Sequence, residues 1–265
     1  MKKTILITGS TDGIGLATAT SLLELGHTVI LHGRSESKLA AAKKQLSEIA
    51  STDKIFAYKA DLSIISDVNN LASEIKNNHQ KLDVLINNAG ILIVPEPLSE
   101  DGVDIRFMVN TIAPYLLTKL LLPLLDKNAR IINLSSATQA PVAREELLKV
   151  SSLTDHTVYA KSKLAITMWS RQMSLILGKE GPIVVAINPK SLLGSKMVKQ
   201  GYGIAGGNLQ LGADILVKAS LSDEFADASG LYFDNDIEAF TAPHPDALNA
   251  DKISKMTEVL ETFIK

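Results

Sequence analysis

The sequence predicts an α/β fold built on a doubly wound parallel sheet with helices on both faces. Three observations carry that prediction. Short β-type runs alternate with longer helical patterns through the first half of the chain. The strand runs are near-continuously apolar, as strands covered on both faces are. Successive strand–helix–strand units joined by right-handed crossovers place their strands side by side and parallel. No internal repeat, low-complexity segment or linker rich in Pro, Gly or Ser marks a boundary, so one domain over 1–265 is expected.

The elements follow in order. KTILIT (3–8) is the first strand, and GIGLATATSLLELG (13–26) a helix stopped by Gly26. TVILHG (28–33) is the second strand. Residues 35–50 are rich in good helix formers, with Ser35 as the cap. KIFAYKA (54–60) is a strand, 66–78 an amphipathic helix, and LDVLINNAG (82–90) a strand running into a turn. Two helices are expected within 100–126, then a strand at 130–136, a helix at 156–178 and a strand at 182–189. A short strand at 230–233 and a helix at 246–264 complete the pattern.

The composition excludes several kinds of chemistry. With 46% hydrophobic residues in 265 the chain can bury a large core, and a net charge of −2 provides no footprint for nucleic acid. There is no cysteine, which excludes disulfides, thiolate catalysis and cysteine-ligated metals. His27, His32, His79, His156 and His244 lack metal-ligand spacing, so no metal is expected and surface or helix-start roles are assigned to them. MKKTILITGS reads as a strand rather than a signal peptide. YLLTKLLLPLL (115–125) is too short to span a bilayer and carries Lys119 and Pro123. A soluble cytoplasmic protein is expected, with Trp169 and the leucines of 116–125 in its core.

TGSTDGIG (8–15) joins the first strand to the first helix. Gly9 allows a tight turn, Gly13 lets the backbone approach a pyrophosphate, and Gly15 lets helix pack on strand. The helix N-terminus then presents free N–H groups to phosphate. This is the dinucleotide turn of a Rossmann-type sheet, with Gly9, Ser10, Thr11, Gly13, Ile14 and Gly15 as its contacts. Asp12, inside the turn, is unfavourable to added negative charge. The second strand ends in HGRS (32–35), where an acidic residue would bind the ribose of NAD. Arg34 instead suits a 2′-phosphate through two hydrogen bonds and Ser35 adds one, so NADP(H) is preferred over NAD(H).

In TVYAKSKLA (157–165), Tyr159 and Lys163 share a helix face, whereas Lys161 points about 160° away and is expected at the surface. A tyrosine has a pKa of about 10. An ammonium about 5 Å away, at an effective dielectric of about 20, stabilises phenolate by roughly 3 kcal/mol. That would move the phenol about two units toward neutrality, where it exchanges protons with a carbonyl or alcohol oxygen. INLSS (132–136) and NNAG (87–90) end strands at the ligand-binding edge of such a sheet, and Asn110 in FMVN (107–110) needs a buried partner.

Together these motifs resemble the short-chain dehydrogenase/reductase family over nearly the whole chain. The resemblance implies that Tyr159 is the general acid/base and that Lys163 tunes it and binds the nicotinamide ribose. Ser136 would orient the carbonyl; the family uses the second serine of such a pair, and strand alternation turns Ser135 to the other side. Asn110 would hold a helix kink and a water relay to Lys163. Asp61 and Leu62 of ADL would meet the adenine, while Asn88, Ala89 and Gly90, then Pro189 and Ser195, would line the cofactor. The long insert 137–158 and the tail 230–261 resemble the branch of retinol dehydrogenases and WW-domain-containing oxidoreductase-like enzymes. That branch implies NADP and an apolar aldehyde, ketone or alcohol.

Hydride would pass between the cofactor and a carbonyl/alcohol pair, with reduction as the favoured direction. Reduction of a carbon–carbon double bond, or a non-catalytic NADP-binding sensor or scaffold, are the alternatives. Lys190 stands where the family has glycine. Its backbone is expected to take another path, or its ammonium to approach pyrophosphate or substrate. Gly194, Gly201, Gly203, Gly206 and Gly207 suit the hinges of a substrate lid over about 190–206, with Leu192, Leu193, Met197 and Tyr202 as apolar walls. The resemblance also implies a homodimer or homotetramer that pairs the leucine-rich helix with the Tyr–Lys helix.

Overall fold

Each inner strand feeds two cores, because successive side chains leave opposite faces of the sheet. In the first strand Ile5 and Ile7 enter one hydrophobic cluster and Leu6 the other, all fully buried. The computed structural model describes residues 2–264. Among these the strands are β1 Thr4–Ile7, β2 Thr28–Gly33, β3 Ile55–Lys59, β4 Val84–Asn87, β5 Arg130–Leu134, β6 Ile183–Asn188, β7 Tyr232–Asp234 and β8 Ala239–Thr241. They form one sheet in the order β3-β2-β1-β4-β5-β6-β7-β8, parallel except for β8. The chain winds outward in both directions from β1 and β4, which leaves a crevice at their carboxyl ends.

The helices are α1 Gly13–Glu24, α2 Glu36–Leu46, α3 Ile65–Asn78, α4 Ile105–Phe107, α5 Ala113–Leu121, α6 Asp155–Leu177, α7 Lys196–Tyr202, α8 Gln210–Leu221 and α9 Ala250–Glu261. α1, α2 and α8 cover one face of the sheet, and α3, α5, α6 and α9 the other. Ser35 caps α2 as expected, accepting from Lys38 N at 3.4 Å. The helix ends at Leu46, short of residue 50.

α8 and β8 were not evident in the sequence pattern. Gly212 lowers the helix propensity of α8. It is there because a Cβ would meet Leu193 Cδ1 at 2.5 Å. β8 has three residues, and Phe240 holds it against Phe225 and Phe233 at ring distances of 5.0 Å.

α4, a π-helical turn at Met108–Ile112, α5 and a closing 3₁₀ turn make a continuous helical run, Ile105–Leu124. By length and composition alone it could cross a membrane, unlike the shorter apolar stretch read from sequence, but most of it is buried inside the protein. Trp169 is fully buried and meets Tyr115 edge-on at 5.4 Å, as a core residue. α9 lies over this face: Tyr115 donates to Glu261, and Lys119 pairs with Glu261 at 2.9 Å.

Candidate active site

The glycine-rich turn leaves β1 at the crevice and is locked to the segment after β4. Gly9 has φ +64, and a Cβ there would lie 2.9 Å from Ala89 Cα. A Cβ on Gly15 would lie 2.5 Å from both Asn88 Nδ2 and the Gly9 carbonyl, so helix and strand approach as expected. Asn88 Nδ2 donates to the carbonyls of Thr8 (2.8 Å) and Gly9 (3.1 Å), and Thr8 Oγ1 accepts from Asn88 N and Ala89 N at 3.0 Å each. Gly13, at φ +55, has open space where a side chain would stand.

His32 corrects the surface reading of the histidines. It is 3% exposed, and its Nδ1 accepts from Gly9 N at 3.2 Å while Nε2 faces the Ala60 carbonyl at 3.1 Å. These partners select the neutral Nε2–H tautomer, and burial holds the ring's pKa down to about 4. Its position in a strand buried on both faces was the sequence signal for this role. His27 is also buried and accepts from Lys3 N at 3.1 Å. Ser10 uses its polar groups inside the protein: N donates to the His32 carbonyl at 3.0 Å, and Oγ accepts from His32 N at 2.9 Å. In this way Ser10 braces the turn.

At the adenosine end, Arg34 is exposed beyond β2, and Thr11 packs where a Cβ on Gly33 would lie 2.7 Å from its methyl. Asp61 Oδ1 accepts from Ser63 N (2.9 Å) and Ser63 Oγ (2.7 Å), and Leu62 is buried.

The expected catalytic residues come together beside Gly90. A Cβ on Gly90 would lie 3.5 Å from both Asn110 Oδ1 and Lys163 Nζ. Asn110 is fully buried at the centre of the π-helical turn, where its Oδ1 accepts from Ile91 N (2.8 Å) and its Nδ2 donates to Ile91 O (2.9 Å) and Ser162 Oγ (3.0 Å). Lys163 Nζ donates to the Leu134 carbonyl at 2.7 Å and stands 5.6 Å from the centre of the Tyr159 ring. Ser136 is part-exposed, whereas Ser135 turns inward to Thr167 Oγ1 at 2.6 Å and the Lys163 carbonyl at 3.1 Å. Tyr232 of β7, not identified from sequence, donates to the Ser136 carbonyl at 3.0 Å and fixes that residue's backbone.

The electrostatics differ from the expectation. Burial pushes the Tyr159 phenol up to about 12, with the nearby Ser136 hydroxyl pulling it back in part. Burial also lowers Lys163 to about 8. Desolvation of both groups outweighs the Coulomb attraction assumed at the sequence level.

The family model described as short chain dehydrogenase matches residues 3–202. The chain belongs to that family. It is 31% identical over 260 residues to retinol dehydrogenase 13 of Homo sapiens, covering 91% of this chain and 78% of that protein. It is 34% identical over 189 residues to polyprenol dehydrogenase of Homo sapiens, covering 68% of this chain and little more than half, 57%, of that protein. Among solved structures, a short chain dehydrogenase from Shigella flexneri 2a complexed with NADP matches at a TM-score of 0.70 and 26% identity, over 88% of this chain and 96% of the other.

As a short-chain dehydrogenase the protein is an oxidoreductase of the hydride-transferring kind that binds a nicotinamide dinucleotide. Its residues fit that group. The open side of Gly13 at the α1 N-terminus suits the diphosphate, and the Lys163 ammonium beside Gly90 and Asn110 suits the hydroxyls of the nicotinamide ribose.

Three further expectations for this short-chain dehydrogenase are corrected. Lys190 keeps the glycine path, at φ +116, and its ammonium donates to the Asn235 carbonyl at 3.3 Å; Pro189 O accepts from Asn235 Nδ2 at 3.0 Å. Lys161 is part-buried rather than a free surface lysine. It donates to Pro141 O (2.6 Å) and Glu146 Oε2 (3.1 Å), anchoring the insert before α6. Gly194, Gly206 and Gly207 are points of close backbone approach rather than hinges: Gly194 N donates to Gly207 O at 2.7 Å, and Gly207 N to Leu192 O at 2.8 Å.

Beyond that neck, Ser195 Oγ caps α7 through Val198 N at 3.2 Å. Met197 Cε lies 3.7 Å from the Gly90 Cβ position, and Tyr202, edge-on to His156 at 5.0 Å, stands near enough to Tyr159 to help raise its phenol pKa. Leu192 is 46% exposed, whereas Leu193 is buried against α8 and is no wall.

Proposed function

We propose that the protein is an NADP(H)-dependent reductase of apolar aldehydes or ketones. The observation that carries this reading is the convergence of Asn110, Ser136, Tyr159 and Lys163 beside the glycine-rich turn. When bound, the dinucleotide supplies the hydride. Tyr159 holds the proton for the substrate oxygen, and its raised pKa suits a donor rather than a base, which favours reduction. Ser136 orients that oxygen from the carboxyl end of β5. Lys163, fixed by the Leu134 carbonyl, holds the nicotinamide ribose and biases the phenol. Asn110 fixes the Ile91 backbone and stands next to Lys163, where a water can relay protons.

The exposed Arg34 and the lack of an acidic residue at the end of β2 support NADP over NAD. Retinol and polyprenol, named in two relatives, are apolar alcohols and support an apolar partner. We place the protein in the cytoplasm. A dimer or tetramer built from α5 and α6 would have to displace α9 or use another surface. Lys190, the ground for a non-catalytic sensor, keeps the backbone path of glycine.

The test is NADPH and NADH oxidation against aldehydes and ketones graded from small polar to long apolar. NADPH is expected to be used preferentially with the apolar members, and Tyr159→Phe to lose on the order of 10²–10⁴-fold in kcat. Full activity of Tyr159→Phe, or equal use of NADH, would remove the corresponding part of the proposal.

A further inference from the structure

We propose that Lys196, the first residue of α7, is a ligand of the dinucleotide's diphosphate, kept aimed at the glycine-rich turn by Asp12. The inference rests on dinucleotide binding as read above, and adds to the turn a side chain from a different part of the chain. Asp12 caps α1 by accepting from Gly13 N at 2.9 Å through Oδ1, and its Oδ2 takes the Lys196 ammonium. Lys196 therefore stands at the positive end of α1, among the amides best placed for phosphate.

Two positive centres, an ammonium and a helix N-terminus, converge there on one carboxylate. The hydrogen bond from Lys196 holds Asp12 below the usual carboxylate range, so the carboxylate stays ionised. An anion of higher charge than a carboxylate is the natural complement to both centres. Lys196 also explains how a turn carrying Asp12 can accept a diphosphate, because the cation offsets the repulsion.

The position of Lys196 is built. It follows Leu193 by three residues, and the backbone around Leu193 is tied to Gly207 by the bonds of 2.7 and 2.8 Å described above. Leu193 itself seats on α8, where a Cβ on Gly212 would lie 2.5 Å from Leu193 Cδ1 and 3.3 Å from Ile14 Cδ1. The root of α7 and Ile14 of the glycine-rich turn thus meet the same point of α8. The Lys196 side chain remains 70% exposed, so its ammonium can change partner without moving the backbone. Lys190, ahead of α7, is engaged with the Asn235 carbonyl instead.

The experiment measures dissociation constants of the full chain for NADPH, NADH, ADP-ribose and adenosine 2′-monophosphate by calorimetry at low and high salt. The variants are Lys196→Met, Lys196→Arg, Asp12→Asn and the Asp12→Asn/Lys196→Met pair. Lys196→Met is expected to weaken the three diphosphate ligands about tenfold or more, with a flatter salt dependence, and to leave adenosine 2′-monophosphate unchanged. Lys196→Arg should retain most of the affinity. The loss should persist in the Asp12→Asn background, because the phosphate contact does not pass through Asp12.

Unchanged binding of diphosphate ligands by Lys196→Met overturns the proposal. So does a loss that vanishes once Asp12 is Asn, which would make Lys196 only the counter-ion of Asp12, or an equal loss for adenosine 2′-monophosphate. If the wild type binds neither NADPH nor NADH, the dinucleotide reading falls as well. Wild-type binding with an indifferent Lys196→Met removes the role of Lys196 alone.

Discussion

Lys190 holds a backbone conformation that L-residues rarely adopt, φ +116, because its neighbours leave it no other. On one side Asn188 Nδ2 donates to Asp234 Oδ1 (2.7 Å) and Asp236 Oδ2 (2.9 Å); on the other Ser191 N donates to Asp236 Oδ1 at 2.9 Å. Strain of this kind costs about 1–3 kcal/mol, against roughly 0.4–1 kcal/mol for the extra unfolded-state freedom of glycine. Lys190→Gly is therefore expected to stabilise the protein by about 1 kcal/mol and raise Tm by about 2–4 °C. A thermal scan showing an unchanged or lower Tm would mean that the strain is not there. Lys161 carries a related lesson: two helix positions from Tyr159, it leaves the catalytic face yet ties down the insert through Pro141 and Glu146.

At the scale of elements, the site is a set of interlocked turns. Asn110 clamps Ile91 from the π-helical turn, and Asn88 clamps the glycine-rich turn from the end of β4. Arg106 of α4 donates to Asp104 at 2.7–2.8 Å and also bridges to Asp155, which fixes the start of the Tyr–Lys helix. His32 joins the turn after β1 to the end of β3.

The protonation of His32 has a consequence for stability. Its pKa is near 6.5 unfolded and depressed to about 4 in the fold. The stability it contributes is complete above pH 6.5 and is lost as pH falls toward about 4, because the unfolded chain takes up the proton first. Between pH 7 and 4.5 that loss is on the order of 2–3 kcal/mol. Denaturant unfolding should show His32→Leu to be less stable than wild type at pH 7 but less sensitive to acid. Parallel pH slopes for the two proteins would refute the buried neutral clamp.

Across the whole molecule, the doubly wound sheet sets the site at one edge and α9 closes the far layer. Ile253, Met256 and Leu260 of α9 share a core with Trp169 and Leu116, and Glu261 ties Tyr115 and Lys119. Removing residues 250–265 would expose an apolar surface on α5 and α6. The expected result by light scattering is a shift to larger species together with a lower Tm. An unchanged mass distribution and Tm would show that this face does not depend on α9.

The sequence by itself determined the alternation of buried strands and helices, the glycine-rich turn, and the spacing that puts Tyr159 and Lys163 on one helix face. These are local patterns, and backbone geometry translates local patterns directly. Strand alternation, also local, set Ser135 and Ser136 on opposite sides, while the choice of Ser136 between them came from the family resemblance. The tertiary structure alone decided what depends on groups far apart in the chain. His32 reaches Gly9 and Ala60, Tyr232 holds Ser136, Lys196 meets Asp12, and α9 covers α5. The pKa values of Tyr159 and Lys163 belong to this second kind. Desolvation is set by everything packed around a group, and no spacing in the sequence reports it.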